Sequence, residues 1–294
     1  MFEWLVEPFQ FEFMQRALIV AVSAALVCGV LSSWLVLLGW SLLGDAVSHA
    51  VLPGVVLAYM LGLPFAVGAT VLAFIAVGLI GRVRTTTIVR EDAAIGVVFT
   101  SLFAFGLVLI SRYPSQIDLT HVLFGNILGV QTSDAIQVVA LSLSVLVILL
   151  VLRRDLTLFA FDKGQVNALG KNVSLLSAVL LGALALTSVA ALQAVGVILV
   201  VALLITPGAT ALLWTKRFTH MLWIAPVVGV SSAFVGITVS FYADVASGAT
   251  IVLMLGVHFL AAYVCGPRQR WGIALRRYMV KLRHRRAVAT AVVE

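Results

Sequence analysis

Uninterrupted apolar stretches of about 20 residues recur along nearly the whole chain, and that is the length a helix needs to cross the hydrocarbon core of a bilayer. Strands of a membrane barrel would instead alternate apolar and polar residues over segments of about 10. Only 11% of the residues are charged and 62% are hydrophobic, whereas a water-facing domain carries about 25% charged residues. Lipid must therefore cover much of the surface. The expected fold class is all-α, a polytopic transmembrane helical bundle of about 8–9 spans.

Cutting the apolar runs at their polar breaks gives nine candidate spans, roughly 15–38, 40–62, 64–81, 92–112, 133–152, 173–193, 195–214, 221–240 and 249–265. The breaks near residue 39 and near Gln193 are only a few residues long, so eight spans is the alternative count. The expected domain organisation is a transmembrane domain over 1–266 and a basic cytoplasmic tail over 267–294. No basic segment precedes a short apolar core at the start of the chain, so no cleavable leader is expected. Met1 to Phe13 instead mixes Trp4, Phe9, Phe11 and Phe13 with Glu3, Glu7 and Glu12, which reads as an interfacial segment. Cys28 and Cys265 both lie in apolar runs and read as packing residues.

Basic residues orient the bundle. Arg82, Arg84 and Arg90 lie in one connection, Arg153, Arg154, Lys163 and Lys171 in another, and Lys216 and Arg217 in a third. The tail adds Arg268, Arg270, Arg276, Arg277, Lys281, Arg283, Arg285 and Arg286. With nine spans these four segments share one side and hold 17 of the 19 basic residues. The positive-inside rule makes that side cytoplasmic, with the N-terminus outside and the C-terminus inside. Glu3, Glu7, Glu12, Asp118, Asp134 and Asp244 then lie on the outer side, where acids concentrate cations. The net charge of +7 sits beside the membrane, where anionic lipid is a nearer partner than nucleic acid. No nucleic-acid partner is expected.

Ionisable groups inside a membrane are costly and therefore informative. The leading case is Gly44-Asp45-Ala46-Val47-Ser48-His49-Ala50-Val51-Leu52-Pro53-Gly54. Asp45 and His49 are four residues apart and project from one helical face. A span entering near Gly39 carries His49 to a depth of ~15 Å. A carboxylate and an imidazole suit Mn²⁺, Fe²⁺ or Zn²⁺, and Pro53-Gly54 can open the helix beside them. The competing readings are a self-satisfied packing pair and a proton relay. Glu91 and Asp92 open a span at its cytoplasmic end, where capping alone explains carboxylates, and they are weaker candidates for metal handling in an inner vestibule. His121 lies in an outer loop or a re-entrant piece ending at Gly129, and His258 reads as a satisfied helix–helix contact.

The longest cytoplasmic connection, Arg153 to Lys171, includes Phe161, Asp162, Ala168, Leu169 and Gly170. Asp162 can cap a short helix, Gly170 can end it, and Val166 and Leu169 line one side. Such a helix is a docking element for a soluble partner or a membrane-surface helix without one. A faint internal echo pairs Gly44…Leu52-Pro53-Gly54 with Gly196…Thr206-Pro207-Gly208 in spans of opposite direction, as in inverted-repeat transporters.

Together these stretches make the chain resemble the permeases of bacterial ABC importers for manganese, zinc and iron(II). The matching segments are Gly44 to Gly54, Arg90 to Gly96, Asp118 to Asn126, Phe161-Asp162 with Ala168 to Gly170, Val195 to Pro207, and Ser247 to Val252. The resemblance implies an inverted-repeat, dimeric importer permease in the bacterial plasma membrane, built as a homodimer or a paired permease. It implies two cytoplasmic ATP-binding subunits, an extracytoplasmic metal-binding protein, and no permanently bound cofactor. It assigns metal handling to Asp45 and His49, and ATPase coupling to the loop around Phe161, Asp162, Ala168, Leu169 and Gly170. The Asp118–Asn126 stretch looks most like the manganese and iron branch. The absence of a Gly-x-x-x-x-Gly-Lys-[Ser/Thr] phosphate loop agrees with hydrolysis in a separate subunit, so the chain itself is not expected to be an enzyme. A proton-coupled secondary metal carrier is the rival reading.

Overall fold

The computed structural model describes residues 7–88, 90–112 and 127–266, and the described residues are helical with no strand. The first described element is a 3₁₀ turn, Glu7–Gln10. Helix α1 (Glu12–Leu38) has 27 residues and is about 40 Å long at 1.5 Å per residue. It ends at Gly39, whose φ of 74° lets Gly39 and Trp40 donate to the Val36 and Leu35 carbonyls and close the last turn.

The second span is two helices. Helix α2 (Ser41–Ala50) stops at Val51, and α3 (Leu52–Met60) carries Pro53 in its first turn. Pro53 has no N–H, so the carbonyl of His49 loses its ordinary helical donor. Beyond it run α4 (Phe65–Thr86), α5 (Glu91–Arg112) and α6 (Thr132–Val151). Two short helices follow, α7 (Arg153–Phe161) and α8 (Lys163–Ala168). The last four are α9 (Val173–Val195), α10 (Val197–Trp214), α11 (Phe218–Ala243) and α12 (Ser247–Cys265).

Eight of these segments are long and apolar enough to cross a membrane, counting α2 and α3 as one broken span. Within α10 the apolar stretch Ile198–Trp214 is shorter. It packs beside α1, α2, α11 and α12 and carries the chain back between α9 and α11, which fits a ninth pass.

Helix α1 is the mast of the bundle, buried at most positions from Met14 to Leu35 and packed against α6, α9, α10 and α11. Backbones approach closely where small residues meet. A Cβ on Gly208 of α10 would stand 2.5 Å from the Ser32 carbonyl oxygen, and one on Gly54 of α3 would stand 2.2 Å from the Gly68 carbonyl oxygen of α4. Both Pro-Gly pairs thus place their glycine at a helix crossing. Otherwise the echo is partial: Pro207 lies inside a continuous helix, Gly44 lies within α2, and Gly196 is a linker with φ of 78°.

Side-chain contacts sort the connections onto two faces. Trp40 meets Phe159, while Phe218 meets both Trp34 and Phe161, so the α1–α2 link, the α7–α8 segment and the α10–α11 link share one face. On the other face Phe9 stacks on Phe234 and Phe11 lies against Phe241. Tyr242 Oη donates to Glu7 at 3.1 Å and Arg16 Nη1 to Thr132 Oγ1 at 3.0 Å. Phe11 and Phe13 stay exposed, as an interfacial segment requires. Cys28 is buried in the core, whereas Cys265 is exposed at the end of α12 rather than packed.

The Gly54–Gly68 crossing fixes α3 on α4. Gly54→Ala should lower the stability of the detergent-purified protein by about 1–3 kcal/mol, as overpacking does, because the obstructing atoms are backbone. An unchanged thermal midpoint would refute this account of the crossing.

Candidate metal-handling site

Asp45 and His49 lie one turn apart on α2, with His49 Nε2 3.4 Å from Asp45 Oδ1. Their side chains remain 39% and 26% exposed respectively, while Leu43, Gly44, Ala46, Val47, Ser48 and Ala50 are buried. The pair and Leu42 therefore occupy the least buried flank of α2. Ser48 is committed elsewhere, donating to the Gly44 carbonyl at 2.8 Å. The buried flank is held by a close fit, since a Cβ on Gly44 would come within 3.1 Å of Leu204 and 3.8 Å of Leu184.

Helix α5 supplies the rest of the surroundings. Phe99 and Phe103 both lie 5.5 Å from the His49 ring, Phe103 edge-on at 84°. Two aromatic rings against one imidazole limit its rotation and leave Nε2 turned towards Asp45. Sequence reasoning missed Phe99 and Phe103, since apolar residues in an apolar span carry no local signal. Glu91 and Asp92 begin α5, and Asp92 is exposed about 10 Å below the level of Phe99. Asp92 does not join the pair. Among the described residues no group of three or more His, Cys, Asp or Glu side chains gathers to hold a metal ion.

His258 of α12 is fully engaged, as expected for a packing contact. Its Nδ1 lies 3.1 Å from Ser232 Oγ and 2.8 Å from the Met254 carbonyl oxygen, and its Nε2 lies 3.3 Å from Ser231 Oγ. His121, the Asp118–Asn126 stretch and the tail 267–294 lie outside the described residues.

The α7–α8 segment is a preformed unit. Asp162 caps α8 by accepting from Gln165 N at 3.0 Å, and Gly170 follows Ala168 and Leu169 with φ of 71°. Lys171 pairs with Asp155, tying the end of the segment to its beginning. Val166 is buried but Leu169 is 60% exposed, so the two do not line a common buried side: Leu169 is the residue after α8, turned outward where the helix ends. Phe161 is also exposed. Helix α7 itself went unread in the sequence, although Leu156 and Phe159, three apart among polar neighbours, were a signal for it. Both are buried, and Phe159 lies 6.2 Å from the ring of Trp40, the residue that precedes α2.

Known proteins share this architecture. A family model described as the ABC 3 transport family matches residues 10–266. The manganese transport system membrane protein MntB of Synechocystis sp. is 48% identical over 265 residues, covering 90% of this chain and 87% of that protein. The chelated iron transport system membrane protein YfeD of Yersinia pestis is 43% identical over 264 residues, covering 90% and 89%. The solved structure of PsaBC from Streptococcus pneumoniae in complex with Fab superposes with a TM-score of 0.83 at 37% identity, covering 92% of this chain and 98% of that one. A match over nearly the whole transmembrane region, with relatives at this identity, places the chain in the ABC 3 transport family.

Proposed function

We propose that this chain is the permease subunit of an ATP-driven importer that carries a divalent transition metal, manganese foremost, with Asp45 and His49 as the face that handles the ion. The observation that carries the reading is the pair itself: a carboxylate and an imidazole in register on the least buried flank of a helix otherwise sealed into the bundle. Relatives named for manganese and chelated iron transport support it, and the same ligands suit zinc. A proton relay would not need the ATP-driven architecture of this family.

One protomer offers two side-chain ligands here, too few for Mn²⁺, Fe²⁺ or Zn²⁺. Two copies meeting along the α2 flank would supply two carboxylates and two imidazoles. Two negative charges would neutralise a divalent cation where an unpaired charge costs several kcal/mol. A paired permease, two cytoplasmic ATP-binding subunits and an extracytoplasmic delivery protein complete the proposed assembly in the bacterial plasma membrane. Glu91 and Asp92, at the start of α5, would at most line the inner vestibule.

The ATP-binding subunits would dock on Phe161, Asp162, Ala168, Leu169 and Gly170, and the Phe159–Trp40 contact would pass their motion to α2. That helix is a rod of 10 residues between two joints, Gly39 and the Val51 break. No covalent chemistry is assigned to the chain. The ion is substrate, and hydrolysis occurs in the partner.

Orientation is tested directly. Single cysteines in 153–171, in a background with Cys265 replaced by serine, should react with a membrane-impermeant maleimide only from the cytoplasmic side. Reaction from outside would overturn both the topology and the coupling role.

Gly170→Val forces a β-branched residue into a left-handed conformation at a cost of about 1–2 kcal/mol, distorting the end of the docking segment. Metal-stimulated ATP hydrolysis by the assembled transporter should fall while membrane insertion stays normal. Full hydrolysis with full transport would remove the segment from the coupling path.

The site itself is tested by uptake of radioactive manganese, iron or zinc at matched expression. Asp45→Asn preserves size and hydrogen bonding, so a packing pair would tolerate it. Loss of a charge that compensates the ion costs several kcal/mol, so uptake should drop about tenfold or more, and His49→Ala should do the same. The protein should still reach the membrane in normal amount, because neutralising an intramembrane acid lowers its insertion cost. Wild-type uptake by both variants would end this assignment.

A further inference from the structure

Where α6 gives way to α7, a cavity of about 380 Å³ opens between that corner and the start of α11, lined by Arg153, Arg154, Thr157, Phe218, Thr219 and Leu222. Both guanidiniums are exposed at the mouth of this cavity. Among the described residues neither is paired with a carboxylate, and the adjacent Asp155 is held by Lys171. The first turn of α11 faces the same space, and its N-cap residue, Arg217, supplies no side-chain acceptor. The first-turn residues Phe218 and Thr219 of α11 and two guanidiniums thus share one cavity, and no described acidic side chain lines it. That combination binds a phosphate group.

The flanks say where the phosphate comes from. Trp223 and Val227, one and two turns beyond Thr219 on α11, are 72% and 64% exposed. Val147 and Val151, on the turns of α6 just before Arg153, are exposed as well. The cavity thus stands where lipid-facing apolar helix surface ends and guanidinium begins, the depth at which a phospholipid places its headgroup. Phe218 and Leu222 line its apolar side, and Trp223 continues that side into the acyl region.

We propose that this corner is a binding site for an anionic phospholipid, its phosphate on Arg153 and Arg154 and an acyl chain along Leu222, Trp223 and Val227. Assignment to the inner leaflet rests on the orientation proposed above; the site does not, because its ligands and apolar flank belong to the fold. A lipid here clamps the entry to α7 against α11 and so braces the segment that contacts Trp40.

The test uses the transporter assembled with its ATP-binding subunits in vesicles of phosphatidylcholine, or of roughly three parts phosphatidylcholine to one part phosphatidylglycerol. In each, one lipid species is brominated on its acyl chains. The signal is quenching of Trp223, isolated as the difference between the wild type and Trp223→Phe. Brominated phosphatidylglycerol should quench several-fold more than its mole fraction predicts. Arg153→Gln/Arg154→Gln should reduce that excess to the mole-fraction value, and Arg154→Lys should keep most of it. In vesicles of phosphatidylcholine alone, quenching by its brominated form should be the same in the wild type and the arginine variants, which shows that the helices remain in place. Equal quenching by both lipids in the wild type, or an excess that survives the double glutamine variant, would overturn the proposal. So would abolition of the excess by millimolar inorganic phosphate, which would make the site one for a free anion. Release of the ATP-binding subunits by the double variant in pure phosphatidylcholine would overturn it too, by assigning the arginines to a protein carboxylate. Failure of metal uptake in Asp45→Asn bears on none of these outcomes, so the two readings fail separately.

Discussion

Lipid tails are as apolar as leucine, so nothing in the bilayer pushes these helices together as water would. What holds them is close contact, and contact is closest where a helix presents a residue with little or no side chain. Helix α1 shows the consequence. A Cβ on Gly29 would stand 2.8 Å from the Pro226 backbone of α11, and one on Gly229 would stand 2.9 Å from the Ala25 carbonyl oxygen. Together with the Gly208–Ser32 crossing, these approaches seat α10 and α11 on one long, almost fully buried helix. The remaining elements are arranged around that framework, and the irregular second span is tolerable because its neighbours are fixed.

The irregularity matters because a straight helix through a membrane pairs every internal carbonyl with its own N–H groups and offers nothing to an ion but side chains. Breaking the span at Val51, one turn before Gly54 meets α4, produces two short helices in place of one. The first carries Asp45 and His49 and is gripped on one flank by Leu184 and Leu204. Its other flank stays partly open, and its N-terminal end rests on Phe159 through Trp40. The proposed ion-handling face, a joint at each end and a contact with the proposed docking segment are thus gathered in 10 residues.

The two intramembrane histidines, His49 and His258, show how tertiary context gives one residue type two different surroundings. His258 has both ring nitrogens within hydrogen-bonding distance of serines on α11 and a backbone carbonyl beside them. It has no capacity left for a ligand. His49 has one long contact to Asp45, aromatic rings around it and partial exposure. The residue type is the same, and the depth in the sequence pattern is similar. Only the partners differ.

The sequence by itself determined what local periodicity and local chemistry can carry. The spans were legible because hydrophobic length is an additive property of consecutive residues. The i, i+4 register of Asp45 and His49 was legible because helical geometry fixes it within one turn. The Asp162 cap and the left-handed Gly170 were legible because each acts over three or four residues. Tertiary structure alone decided that Phe99 and Phe103 enclose His49, that Phe159 seats on Trp40, that Leu169 turns outward while Val166 is buried, and that Arg153 and Arg154 face the start of α11. The contacts among them join residues tens of positions apart, and Phe99 and Phe103 lie in a span of nearly uniform apolar character. In such a span every face looks alike to the sequence, because lipid and protein interior present the same apolar solvent, and only the packing of helix on helix distinguishes one from the other.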